Sequence, residues 1–377
     1  MRLTSTDLSH WADTREAQDQ LPVLVRRLLR TTTPDLTRLE FPGGDAVRMP
    51  GFDGRSESLN GTPWCPPGPA VWEMGCNAQP TTKATDDYRK RTENTKGTDR
   101  SETTFVFVTP RTWYGKDQWV AERKAEGAWK DVRVIHGPDL ETWLESSSTT
   151  ELWLAERMGR ADREGETAIA WFARWANAAN PAMPPSLVVA GRERDAEIVL
   201  EQLRKDGLRA LSVVGDDRGE AIAFVIAALM VAGANDLLDR IVVTPTPGKV
   251  AAAPGGPRPI VIADLEAEHS EQPNLSEVAV VRAYPRDHLA ERADINLRHV
   301  PAEKITAVLK EMGLGEEAAR RHTRDSGSSL TVLRRRLSDD PAVRTPVWAR
   351  RDVADALIPF VLAGSWREAA EADIGVL

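Results

Sequence analysis

Asp53, Glu73 and Lys83 stand in an order that suits phosphodiester chemistry. Asp53 follows the pair Pro50-Gly51, which closes a predicted strand. Glu73 lies in the stretch Ala70-Val71-Trp72-Glu73-Met74-Gly75, and Lys83 opens a polar segment that runs to Arg91. Two carboxylates on neighbouring elements can share a hard divalent cation, Mg²⁺ or Mn²⁺, which takes oxygen ligands and keeps waters for a phosphate substrate. A lysine beside them would steady charge on an attacking water and on the phosphate. Each residue also has a plainer reading. Asp53-Gly54 is a common turn pair, a single Glu on a strand is usually solvated, and Lys83 reads as a solvated helix end. Arg89, Arg91 and Arg111 are candidate contacts for DNA phosphates, with water the other reading for Arg89 and Arg91.

These side chains need elements to hold them. Leu21, Leu24, Val25, Leu28 and Leu29 recur at helical spacing, which predicts an amphipathic helix over Thr14–Leu29, started or kinked at Pro22. Leu36–Phe41 and Ala46–Met49 read as strands joined by a turn at Pro42-Gly43-Gly44-Asp45. The Ser-, Gly- and Pro-rich stretch from Arg55 to Pro69 reads as a surface loop. In the strand predicted over Val71–Cys76, period-two alternation places Val71, Glu73 and Gly75 on one face and Trp72, Met74 and Cys76 on the other. Thr103–Pro110 is apolar enough for a strand buried on both faces. Val132–Ile135 is a further strand, followed by a helix with Asp139 at its start.

The chain has 377 residues, 41% of them apolar and 28% charged, the profile of an ordinary globular protein of two or three domains. No apolar run is long enough to span a bilayer. The N-terminus lacks a secretory core, and two cysteines make neither a disulfide framework nor a zinc site. These features predict a cytoplasmic protein without a membrane partner. The net charge of −8 excludes a globally basic nucleic-acid binder, so DNA would have to meet a local basic surface.

From about Leu8 to Glu145 the order of elements, with Asp53 and Glu73 in it, resembles the PD-(D/E)xK nuclease superfamily, and within it restriction-endonuclease-like domains of the Mrr type. Thr104–Arg111 and Val132–Leu144 look like the later strand and strand–helix of that fold. The resemblance implies metal-dependent cleavage of DNA, with Asp53 and Glu73 as metal ligands and a lysine supporting the nucleophile. The sequence departs from the pattern at Gly75, two residues after the acid, where the superfamily lysine usually stands. Lys83 would have to reach in from the following helix, a migration the superfamily allows. If it does not, the domain binds nucleic acid or a partner without cutting.

The segment Ala155–Asn177 reads as helical, and Asn180-Pro181-Ala182-Met183-Pro184-Pro185-Ser186 as a linker. Strands predicted at Leu187–Ala190, Ala210–Val214, Ile241–Thr244, Ile260–Asp264 and Val278–Val281, alternating with helices, argue a parallel sheet. Gly215-Asp216-Asp217-Arg218-Gly219-Glu220-Ala221 stands where a phosphate-binding loop would, but it lacks the lysine and hydroxyl such a loop needs and carries three acids. ATP binding and hydrolysis are therefore not expected. Helices predicted at Ala302–Met312, Gly315–Asp325 and Leu330–Leu337 resemble the lid of AAA+ and STAND ATPases. The Arg334–Arg336 cluster is a solvated face or a partner contact. The apolar segment Val353–Ala363, close to the last residue, suggests a piece of a longer protein.

The expected fold is therefore α/β: a restriction-endonuclease-like domain over 1–150, a helical linker over 151–185, a parallel-sheet P-loop-like domain over 186–298, and a helical lid with C-terminal helices over 299–377. The two resemblances together imply a DNA endonuclease effector under a regulatory module, an arrangement typical of bacterial anti-phage defence, with a homo-oligomer or a partner protein as further expectations. The alternative is a nuclease fold without catalysis, acting as a binding module.

Overall fold

The computed structural model describes residues 2–42, 51–160, 165–205, 207, 210–246, 250, 256–263, 277–286 and 293–345. The strand expected at Ala46–Met49, most of the turn before it, Asp264 and the helix expected at Val353–Ala363 lie outside the described residues. The strands fall in two mixed sheets accompanied by helices, so the class is α/β. Packing divides the chain into two units. The first comprises Met1–Ala168, Asp206–Ala210 and Asn235–Val281; the second comprises Ile169–Lys205, Leu211–Ala234 and the chain from Arg282 on.

In the first unit, α1 (Ser5–Trp11) and α2 (Arg15–Thr32) precede the sheet. Thr14 caps α2 by accepting the Ala17 N–H at 3.2 Å. Pro22 lies inside α2, and Leu21, Leu24, Val25, Leu28 and Leu29 are all buried, as their spacing predicts. Then come β1 (Leu36–Glu40), β2 (Gly54–Ser58), β3 (Gly68–Met74), α3 (Pro80–Glu93), β4 (Thr104–Val108), α4 (Lys116–Ala125), β5 (Asp131–Ile135), α5 (Gly137–Glu145), α6 (Ser148–Arg157) and the two-residue β6 (Glu166–Thr167). The five-stranded sheet has the order β1-β2-β3-β4-β5. Its first two pairings are antiparallel and its last two parallel.

The sheet is covered on both faces. Trp72, Met74, Val106 and Val108 join α1, α2, α5 and α6 in one core. Val71, Phe105, Phe107, Val132 and Val134 join Tyr88 and Trp119, from α3 and α4, in the other. β4 is thus buried on both faces, and β3 alternates as its sequence predicts.

β2 corrects the expected loop after Arg55. Gly-Arg-Ser-Glu-Ser has little preference for a strand, but the ladders of β1 and β3 hold it from both sides. Ser56 and Ser58 are buried, and the Trp72 indole N–H donates to Ser56 Oγ at 2.9 Å. A Cβ added at Gly54 would stand 2.2 Å from the Phe41 ring, so this place admits no side chain.

Further along, α7 (Ala168–Asn177), α8 (Pro185–Val189), α9 (Glu193–Arg204), β7 (Ala210–Gly215) and α10 (Arg218–Val231) follow. The strand expected at Leu187–Ala190 is the helix α8, with Pro at its first position. An apolar run this short does not choose between strand and helix by itself. The helix expected over Ala155–Asn177 is interrupted by β6. After α11 (Asn235–Leu238), β8 (Ile241–Thr244) and β9 (Ile260–Ala263) belong to the first unit, and β10 spans Ala279–Pro285. β6 pairs antiparallel with β8, so the second sheet is mixed where alternation predicted a parallel one. β11 (Ile295–Asn296) pairs in parallel with β7 in the second unit. It is followed by α12 (Ala302–Glu311), α13 (Glu316–Asp325), α14 (Leu330–Leu337) and α15 (Pro341–Arg344). No helix among the described residues is long and apolar enough to cross a membrane.

Candidate active site

β2, β3 and α3 bring the three residues singled out in the sequence to one place. Gly54 is in register with Trp72, so Asp53, one residue earlier, lies alongside Glu73 across the antiparallel pair. Asp53 Oδ2 accepts the Met74 N–H at 2.8 Å, which fixes its carboxylate against β3. Glu73 projects from β3 toward α3. Lys83, Asp87 and Arg91 are spaced four apart, so they share one face of that helix. The stem of Lys83 lies over Gly75, since a Cβ added there would stand 2.7 Å from Lys83 Cγ. The missing side chain at Gly75 is what lets the stem of Lys83 lie against the end of β3, within reach of the Asp53 charge.

Each charged group here has a partner. Lys83 Nζ donates to Asp87 Oδ1 at 2.8 Å and lies 2.7 Å from Oδ2. Arg91 donates from Nε to Glu73 Oε1 and from Nη2 to the Gly51 carbonyl, and its guanidinium lies 5.0 Å from the centre of the Phe52 ring. Glu73 is only 1% exposed, which overturns the reading of a solvated strand carboxylate. Burial, with the Asp53 charge as the second cause, pushes the Glu73 carboxyl up to about 8 against the pull of Arg91. Burial also raises Asp53, opposed by the Met74 N–H and by Lys83.

This arrangement fits a hard cation. Asp53 Oδ1 and Glu73 Oε2 have no hydrogen-bond partner among the described residues, while their sister oxygens are held by N–H groups. Two carboxylates held up by burial, one of them also by the charge of the other, are what a divalent ion with oxygen ligands relieves. Among the described residues no group of three or more His, Cys, Asp or Glu is placed to hold a metal ion, so the candidate donors are this pair alone.

The residues proposed for DNA phosphates are scattered. Arg89 is exposed and pairs with Asp86 at 3.0 Å. Arg91 is buried within the site and is not available to a phosphate. Arg111 is spent on the structure, donating to the Cys76 carbonyl at 3.0 Å, the Ser9 carbonyl at 2.9 Å and the Asp13 carboxylate. Asp87 and the inward role of Arg91 went unread in the sequence. The signal that could have found them is the four-residue spacing Lys83-Asp87-Arg91, facing a strand that carries a glutamate.

In the second unit the degenerate loop is filled by its own carboxylates. Glu220, 0% exposed, accepts the Asp216 N–H at 2.8 Å and Arg192 Nη2 at 2.6 Å. Asp217 caps α10 through the Glu220 N–H at 2.7 Å, and Asp216 meets Arg286 at 3.2 Å and His299 at 3.0 Å. A backbone N–H of the kind that cradles a phosphate is thus taken by Glu220. In the arginine cluster, Arg334 lies 5.2 Å from the Trp175 ring centre and Arg336 pairs with Asp325 at 2.8 Å.

Comparison with protein-family models finds no match to this chain, and comparison with curated proteins finds none either.

Proposed function

We propose that the first unit is a metal-dependent phosphodiesterase acting on DNA, with Asp53 and Glu73 as ligands of Mg²⁺ or Mn²⁺ and Lys83 as the residue that orients the attacking water. The observation that carries this reading is the seat of Lys83. Its stem covers Gly75, the position at which the superfamily carries its lysine, and its charge acts on the Asp53 carboxyl. A divalent ion held there would lower the pKa of a bound water and offset charge on the phosphate. Asp87 holds the Lys83 ammonium in place, and Arg91 holds Glu73. The second unit is read as a regulatory module without ATP turnover, because Glu220 answers the loop's own donors. A role in anti-phage defence, and assembly with itself or a partner protein, rest on the two resemblances drawn from the sequence.

A second reading has its own support. The Glu73–Arg91 pair is buried, with 2% and 8% of the two side chains exposed, and a guanidinium on Glu73 takes an oxygen that a cation could use. On that reading the domain binds nucleic acid and does not cut it. Supercoiled plasmid incubated with the protein and Mg²⁺ or Mn²⁺, beside EDTA and Asp53→Asn controls, separates the two. Metal-dependent nicking lost in Asp53→Asn is the expected result. Gel-shift binding without nicking in either metal would establish the binding module instead.

A further inference from the structure

Arg91 touches both halves of the candidate cation site. Its Nε donates to Glu73 on β3, its Nη2 donates to the carbonyl of Gly51, two residues before Asp53, and its guanidinium carbon lies 5.0 Å from the centre of the Phe52 ring between them. Arg55 lies 4.8 Å from the centre of the same ring. The far end of the turn is tied to β3 by the Met74 N–H on Asp53. The Asp53 turn is therefore pinned at two places, and Arg91 supplies the one that also engages the second carboxylate. A planar fork with donors on separate nitrogens can make both bonds at once; a lysine ammonium on a flexible stem is a point charge without that geometry.

Building on the cation reading above, we propose that Arg91 is a positioning residue: it sets the spacing of Asp53 and Glu73 by bridging the Gly51 carbonyl to the Glu73 carboxylate. It leaves Glu73 Oε2 and Asp53 Oδ1 as the oxygens offered to the ion. Its role is distinct from neutralising charge, which any cation at this place would do. It is also distinct from competing with the metal, which would make its removal favourable to binding.

The test is Mn²⁺ binding to the full chain without DNA, read by the electron paramagnetic resonance of free Mn²⁺, with near-UV circular dichroism to establish that each variant is folded. Arg91→Lys keeps the charge and loses the fork. Mn²⁺ affinity should fall about 10- to 100-fold, as it does when a residue that orients a metal ligand is lost. In Arg91→Ala, added methylguanidine should restore part of the affinity. Phe52→Leu, which keeps Arg91 and its charge but removes the ring beneath it, should show a smaller loss and carries the test if the Arg91 variants do not fold. Arg91→Lys binding Mn²⁺ as the parent does would overturn the proposal and leave the cation site standing. Tighter binding by Arg91→Ala would likewise overturn it, in favour of competition. A parent that binds no Mn²⁺, or binds it equally after Asp53→Asn, removes the cation reading and this proposal with it.

Discussion

At the scale of single residues, burial changes what Glu73 means. An exposed carboxylate could be removed at a cost of no more than about 0.5 kcal/mol. Glu73 is buried on Arg91, so Glu73→Ala would strand a buried guanidinium and should cost about 3–5 kcal/mol in urea unfolding. Glu73→Gln keeps an acceptor for Arg91 and should cost less. The two also differ in pH dependence. The folded carboxyl is raised from 4.5 to about 8, so between those values the native state holds a proton that the unfolded chain releases. Stability should therefore fall as pH rises through that window. Urea midpoints from about pH 5 to pH 8 in EDTA should decline in the parent and flatten in Glu73→Gln; parallel curves would mean that the carboxyl is not raised. Gly75 tests the seat of the lysine. Gly75→Ala puts a methyl group 2.7 Å from Lys83 Cγ and must displace the Lys83 stem. A stability loss of about 1–3 kcal/mol is expected from the overpacking and, on the proposed nuclease reading, slower nicking. A variant as stable and as active as the parent would show that Lys83 has no fixed seat there.

At the scale of elements, the sheet was legible where strands are apolar and obscure where they are not. β4 declares itself through Thr-Phe-Val-Phe-Val, and β3 through the alternation that puts Glu73 and Gly75 on the α3 side. β2 gives no such sign, because its buried positions are a glycine and two serines. Its place between β1 and β3 is nevertheless what aligns Asp53 with Glu73. Ser56→Ala takes the acceptor from the buried Trp72 indole N–H and should cost about 1–3 kcal/mol. The change should appear in tryptophan fluorescence and in the urea midpoint; an unchanged midpoint would mean that the indole finds another partner. On α3 the opposite holds. The charged stripe Lys83-Asp87-Arg91 is visible in the sequence, but its spacing alone leaves its direction, toward solvent or toward the sheet, undecided.

At the scale of the whole molecule, the segments of the first unit are separated in the sequence. Asp239, in Asn235–Val281, accepts from Arg27 and Arg30 of α2, and all three groups are largely buried. A fragment of residues 1–185, cut at the Pro-rich linker, would keep both arginines and lose their carboxylate together with β8, the partner of β6. It should be less stable than the full chain, with proteolysis opening α2 earlier. A fragment as resistant as the parent would make residues 1–185 an independent domain. In the second unit, Arg192→Ala would leave the Glu220 carboxylate buried without its cation, at a cost of about 3–5 kcal/mol. Calorimetry with ATP should show no binding to the parent, and micromolar binding would overturn the regulatory reading of that loop.

What the amino-acid sequence by itself determined is the α/β class, most strand and helix positions in the first half, and the candidacy of Asp53, Glu73 and Lys83. Hydrophobic period and turn chemistry are local properties, and they carry that much. Only the tertiary structure decided that Leu187–Val189 is helical, that β2 exists, and that the second sheet is mixed, because pairing partners far along the chain supply the free energy that short or polar stretches lack. It alone placed Lys83 over Gly75 and turned Arg91 inward onto Glu73. A charge takes its role from the field and burial around it, and those are set by residues the chain brings together only on folding.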